Sequence, residues 1–137
     1  MACGKKRKTR VIIDCNVVIS AGLTRGVCYK VIERAVREGV VILSDEILNE
    51  YREVSKRKYF AERFDELSEL IDIISNIAIF VQPEHLEISL PDEDDLKYLE
   101  AGISGNADFL VTGNLKDFKN TEYGSVAVVS PRQFLEL

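Results

Sequence analysis

Residues 11–14 read Val-Ile-Ile-Asp, and this short stretch indicates the fold class. Three branched apolar residues in succession are typical of a strand that is covered on both faces. Similar apolar runs lie at residues 40–43, 109–111 and 126–129, and residues 77–81 predict a fifth strand. The chain is therefore expected to contain a sheet whose strands are buried on both sides.

Segments with helical periodicity lie between these strands. In residues 64–74, large apolar residues follow one another at steps of three, four and three, which indicates a helix with one buried face. Ser44 and Asp92 are predicted N-caps of helices that end near residues 58 and 104. Alternating strands and helices predict a three-layer α/β/α sandwich with a mostly parallel central sheet. Ligands are expected beyond the carboxyl ends of its strands.

Length and composition indicate one domain. The chain has 137 residues, of which 46% are hydrophobic and 30% charged, as in ordinary globular proteins. We expect residues 11–137 to form this domain. Residues 1–10 carry five basic and no acidic side chains, which predicts a disordered basic tail, with a polyanion-binding arm as the alternative.

The predicted domain is acidic, because residues 11–137 hold 13 basic and 23 acidic residues and a net charge of −10. This charge argues against a diffuse basic surface for nucleic acid, since phosphates are normally neutralised by lysine and arginine. Cations bound among the acids would invert the local charge. Three cysteines and one histidine match neither a disulfide framework nor a zinc spacing, so we expect a cytoplasmic protein with reduced thiols.

Two acids follow the first two strands. Asp14 comes directly after the first strand, where it fits a metal ligand and equally a cap of the following turn. Glu50 lies on the next helix, on one face with Glu46 and Glu53. We interpret the two flanking acids as a solvated face and Glu50 as a carboxylate that faces Asp14.

Further acids stand at residues 92–95, which read Asp-Glu-Asp-Asp. The helix dipole favours acids at a helix start, but four in succession repel one another and would suit a hard cation such as Mg²⁺ or Mn²⁺. Tyr98, Leu99 and Ile103 define the predicted buried stripe of this helix. That stripe places Asp95 nearest the interior.

The last polar group follows the strand at residues 109–111. Thr112, Asn114 and Asp117 offer oxygen atoms in the turn at its carboxyl end. Asp108 stands at the opposite end, about 13 Å from Thr112 at roughly 3.3 Å per residue, and is expected to be structural.

Four of these segments resemble the motifs of PIN domains. Residues 11–20 resemble the opening motif, in which a hydrophobic strand ends in Asp-x-Asn. Residues 43–51, 94–101 and 107–114 resemble the second, third and fourth motifs. The likeness extends in order over residues 11–137, and four spaced motifs are far more specific than any one carboxylate.

The resemblance implies a metal-dependent endoribonuclease that hydrolyses RNA phosphodiester bonds with Mg²⁺ or Mn²⁺. In the matching motifs, Asp14 and Asp95 take the place of central metal ligands, and Glu50 that of a ligand or of a residue that orients water. Asp117 and Asn114 would complete the metal site.

One residue departs from the family pattern: many PIN domains have aspartate where this chain has Asn114. Asp117 would then supply the fourth ligand, or the site would bind metal more weakly. The alternative is a degenerate PIN module that binds RNA or a partner protein without catalysis. Asn16 and Thr112 would not bind the metal themselves but would hydrogen-bond to the side chains that do, and so orient them.

Residues 129–135 also resemble the end of VapC-like PIN proteins, the toxins of toxin-antitoxin pairs. This likeness implies an RNA substrate, an antitoxin that occludes the acidic cleft, and a homodimer. Other acidic α/β folds match less well. A receiver domain would need lysine where Ser130 follows the last strand, a haloacid-dehalogenase-type phosphatase would need an acid in place of Asn16, and a dinucleotide-binding enzyme would need a glycine-rich turn after the first strand.

Overall fold

A computed structural model describes residues 7–137 of the protein. Six strands form one sheet in the spatial order β3-β2-β1-β4-β6-β5. Neighbouring strands are parallel except for β5, which is antiparallel to β6. The strands are β1 (Arg10–Ile13), β2 (Val40–Leu43), β3 (Ile79–Phe80), β4 (Phe109–Val111), β5 (Glu122–Tyr123) and β6 (Val126–Val129).

Six α-helices connect and cover the strands. Val11, Ile12 and Ile13 of the central strand are fully buried, so both faces of the sheet are covered, as predicted for the α/β/α sandwich. The helices are α1 (Cys15–Leu23), α2 (Val27–Glu38), α3 (Asp45–Ser55), α4 (Phe64–Ile77), α5 (Leu96–Ser104) and α6 (Pro131–Leu135).

The helix boundaries follow local signals in most places. The Ser44 side chain accepts a hydrogen bond from the Ile47 amide and starts α3. This confirms the predicted cap, although the helix ends at Ser55 and not near residue 58. Asp92 caps a short 3₁₀ helix at Glu93–Asp95, and α5 begins only after it. Neither β5 nor α1 was predicted.

The register of the sheet sets the position of the site. Ile13 of β1 lies beside Val111 of β4, and the Asp14 amide donates to the Val111 carbonyl over 2.9 Å. The residues that follow β1, β2 and β4 therefore meet at one edge of the sheet, because the carboxyl ends of parallel strands point the same way. Asp14, Ser44 and Thr112 are all buried at this edge.

The opposite end of β4 is fixed by basic residues. Asp108 accepts hydrogen bonds from the Arg10 amide over 2.8 Å and from the Arg7 guanidinium over 2.5 Å. Part of the predicted basic tail, residues 1–6, lies outside the described residues, and Cys3 is among them. Cys15 is buried in the core, and Cys28 is half-buried. No helix in residues 7–137 is long and apolar enough to span a membrane.

Candidate active site

Asp14 is the most enclosed carboxylate at the carboxyl edge of the sheet, with only 6% of the residue exposed. The Thr112 hydroxyl donates to Asp14 Oδ2 over 2.7 Å, and the Asn16 amide donates to Oδ1 over 3.4 Å. Burial raises the pKa of Asp14, and these two hydrogen bonds offset only part of that shift. Asp14 therefore caps α1 and at the same time presents a poorly compensated charge, so its two predicted roles are compatible.

Thr112 links Asp14 to the turn that follows β4. Its hydroxyl oxygen accepts a hydrogen bond from the Asn114 amide over 3.1 Å. Asn114 in turn precedes a short 3₁₀ helix at Leu115–Asp117, which carries Asp117. The backbone of the fourth motif is thus connected to the Asp14 carboxylate through one buried hydroxyl.

Asp95 lies at the end of the 3₁₀ helix before α5, and its pKa is affected by the charge of Asp14. Burial, followed by the charges of Asp14, Asp92 and Asp117, raises the pKa of Asp95 to about 7, while Lys97 opposes this rise. The charges of Asp14 and Asp117 both act on Asp95, so the three carboxylates lie within electrostatic range of one another. The structure therefore brings together acids from three of the predicted motifs.

Glu50 approaches the site from α3, and its charge contributes to the raised pKa of Asp14. Both of its carboxylate oxygens already have partners. The Tyr98 hydroxyl donates to Oε1, and the Lys97 ammonium lies 3.2 Å from Oε2. Glu46 and Glu53 on the same helix are exposed, as expected of a solvated face.

The residues that engage Glu50 were not identified from the sequence. Tyr98 was assigned only to the buried stripe of α5, yet its hydroxyl also accepts from the Cys15 amide over 3.1 Å. The Tyr51 hydroxyl, fully buried, donates to the Ile13 carbonyl just before Asp14. The sequence did contain an indication that Lys97 belongs to the site. This base lies between the acidic run at residues 92–95 and two residues predicted to be buried, Tyr98 and Leu99.

The side chains at this edge suit a hard divalent ion by their chemistry. Within residues 7–137, no three acidic, histidine or cysteine side chains are already arranged as a metal centre. Asp14, Asp95 and Asp117 nevertheless offer the oxygen ligands that Mg²⁺ and Mn²⁺ prefer. Burial first, and then the charges of nearby carboxylates, raise the pKa values of Asp14 and Asp95, so repulsion by those carboxylates adds to the cost of ionising each group. A cation at these three residues would relieve that repulsion.

The raised pKa of Asp95 predicts how the stability of the metal-free protein depends on pH. The native state holds this proton more tightly than the unfolded chain, so stability falls as the pH rises from about 4 through about 7. Asp95→Asn should therefore raise the free energy of unfolding at pH 8 by on the order of 1 to 2 kcal/mol, since water screens a partly exposed group. The gain should be much smaller near pH 4 and should vanish below about pH 3, where Asp95 is protonated in both states.

Urea denaturation in EDTA across this pH range measures the effect. Asp94→Asn, one residue earlier at an exposed position, is the matched control and should change stability much less. A gain in the Asp95 variant that is equal at pH 4 and pH 8 would contradict the electrostatic explanation.

Comparisons with known proteins agree with this architecture. A model of the PIN domain family matches residues 10–116. No curated protein matches the sequence. A chain in the crystal structure of VapBC2 from Rickettsia felis, bound to a DNA fragment from their promoter, is similar with a TM-score of 0.58 at 17% identity, covering 89% of this chain and 98% of that one. A chain of VapBC-1 from nontypeable Haemophilus influenzae is similar with a TM-score of 0.59 at 16% identity, covering 90% and 99%.

Proposed function

Because this chain belongs to the PIN domain family, whose members are generally nucleases, we propose that it is a metal-dependent endoribonuclease. The observation that carries the proposal is that the charges of Asp14 and Asp117 both act on Asp95 near the carboxyl edge of the sheet. Asp14 is buried there with a raised pKa, and the charges of Asp14 and Asp117 also raise that of Asp95. An acidic cluster of this kind costs stability unless a cation completes it.

Each site residue has a distinct proposed role. Asp14 and Asp95 hold the divalent ion, and Asp117 supports it from the turn after β4. Thr112 fixes the Asp14 carboxylate through its 2.7 Å hydrogen bond. Glu50 orients water or substrate and does not act as a free ligand, since Tyr98 and Lys97 occupy both of its oxygens. The side chains of Asn16 and Asn114 remain predicted supporting groups.

The metal also explains how an acidic protein acts on a polyanion. When bound, a Mg²⁺ or Mn²⁺ ion supplies an activated water and offsets the charge that builds up on the phosphate oxygens. Beside Glu50 lies a polar groove of about 420 Å³, whose charged lining consists of two bases, Lys97 and Arg57, and four acids: Glu46, Glu50, Glu53 and Asp94. We propose that the RNA backbone approaches along this groove, where the two bases reduce its repulsion by the acids.

We further propose that a cognate antitoxin restrains this activity. The support is the likeness of residues 129–135 to VapC-like proteins together with the fold that the chain shares with chains of two VapBC structures. A partner that inserts a basic side chain between Asp14 and Asp95 would neutralise the acids and exclude the metal. Self-association into a homodimer remains a prediction of the family resemblance.

The deciding experiment incubates the purified protein with labelled single-stranded RNA in Mn²⁺, in Mg²⁺ and in EDTA. We expect cleavage with either metal and none in EDTA. Asp95→Asn, purified in parallel, controls for a contaminating nuclease and should be inactive. If the wild type neither cleaves RNA nor binds Mn²⁺ in calorimetry, the nuclease proposal is wrong and the degenerate binding module replaces it.

A further inference from the structure

Lys97 differs from every other lysine in the part of the chain that the structure describes. It is buried, with 9% of the residue exposed, whereas the other lysines of residues 7–137 are all exposed. A lysine is rarely buried unless its ammonium has partners. The position of Lys97 on α5, two residues after Asp95, places this ammonium in the candidate active site.

Three neighbours hold the Lys97 ammonium in place. It lies 3.2 Å from Glu50 Oε2, donates to the Asp94 carbonyl over 2.5 Å, and sits 5.4 Å from the centre of the Tyr98 ring. Tyr98 meanwhile donates to the other oxygen of Glu50. Adjacent residues of α5 thus clamp one carboxylate from both sides, one with a positive charge and one with a hydroxyl.

This clamp divides the acids of the site into two groups. Glu50 has a cationic partner within salt-bridge distance. Asp14 has only a hydroxyl and an amide, and no ion pair involves Asp95 or Asp117 in residues 7–137. A divalent ion would therefore gain most at the aspartates, while at Glu50 it would have to displace the Lys97 ammonium.

We propose that Lys97 is the built-in cation of the active site: it neutralises Glu50, so the chain binds one divalent ion, at the aspartates, and no second ion at Glu50. This inference rests on the proposed nuclease function and adds the number of metal ions. In hydrolysis, the fixed ammonium would hold the Glu50 carboxylate in place beside the ion at the aspartates. Lys97 is thus a positioning residue for Glu50.

The test is the stoichiometry of Mn²⁺ binding, measured by calorimetry on the full chain. The wild type should bind one ion. Lys97→Met removes the ammonium and keeps the apolar stem, so a second ion should bind at the freed Glu50. Adding Glu50→Gln to that variant should restore a stoichiometry of one, because the carboxylate is then gone. Lys97→Arg, which keeps the charge, should also bind one ion.

Two further variants guard against misreading the result. Lys30→Met, at an exposed position of α2, is the control for loss of a lysine and should match the wild type. If Lys97→Met fails to fold, Glu50→Gln alone answers the question. In that variant the Lys97 ammonium lacks a counter-charge. Mn²⁺ binding at Asp14, Asp95 and Asp117 should then weaken about tenfold, a typical coupling between neighbouring sites.

A merely structural ion pair would change stability in these variants but not the number of ions bound. Two ions in the wild type, or one in a folded Lys97→Met protein, would overturn the assignment of Lys97 even if metal-dependent RNA cleavage is intact. If Lys97→Met does not fold and Glu50→Gln is used instead, an Mn²⁺ affinity equal to that of the wild type would overturn the assignment of Lys97. A wild type that binds no Mn²⁺ would overturn the nuclease proposal, and the role of Lys97 with it.

Discussion

Asp14→Asn is expected to reduce metal-dependent RNA cleavage by roughly a thousandfold or more, since it removes a central charge from the metal site. The Asp14→Asn variant should fold as the wild type does. Asparagine has nearly the same shape: its oxygen can still accept from the Asn16 amide, and its NH2 group, in the place of Oδ2, can donate to the Thr112 hydroxyl oxygen. Because burial raises the pKa of Asp14, losing its charge should leave the free energy of unfolding at pH 8 unchanged or higher.

The measurement combines a cleavage time course with urea denaturation in EDTA. Asp108→Asn is the matched control, because Asp108 lies at the other end of β4 and binds Arg7 and Arg10. That control should keep its cleavage rate. An Asp14 variant that still cleaves RNA and still needs Mn²⁺ would show that the metal is held elsewhere.

Thr112→Val is expected to weaken Mn²⁺ binding by roughly 10- to 100-fold, the usual cost of removing a residue that orients a metal ligand. Valine fills the same space but cannot donate to Asp14 or accept from the Asn114 amide. Since Thr112 is fully buried, water cannot replace these bonds. The free energy of unfolding should fall by about 1 to 3 kcal/mol, the cost of leaving buried polar groups unpaired.

Thr112→Ser distinguishes the hydroxyl from the shape of the side chain. Serine keeps the donor and the acceptor and loses one methyl group, so its Mn²⁺ affinity should stay close to that of the wild type. Calorimetry on the two variants gives the comparison directly. Equal losses in both would mean that packing around β4, and not the hydrogen bond to Asp14, supports the metal site.

The strands were the most predictable part of this fold. Four apolar runs became β1, β2, β4 and β6, and the run at residues 77–81 became the shorter β3. The hairpin strand β5 has only two residues, too few for a periodic signal. Phe64 was placed in the core by its spacing but is 36% exposed, at the first residue of α4.

At the site, sequence reasoning found the acids but not their partners. Asp14 could be predicted from its place after a buried strand, and Asp95 from the buried stripe that follows it. The contacts of Glu50 with Lys97 and Tyr98 join residues almost fifty positions apart, and local patterns carry no information on such pairs. A lysine on a helix is also usually solvated, so its burial becomes visible only when α3 packs against α5.

The pairing of the central strand with β4 also determines when, during synthesis, the site can form. Asp14 and Thr112 are 98 positions apart, so an emerging chain carries Asp14 long before its partner has left the ribosome. Contacts of such long range are made late, because the intervening chain must first be ordered. A nascent fragment that lacks β4 therefore has no assembled site, and any activity towards RNA begins only after the fourth motif has been translated.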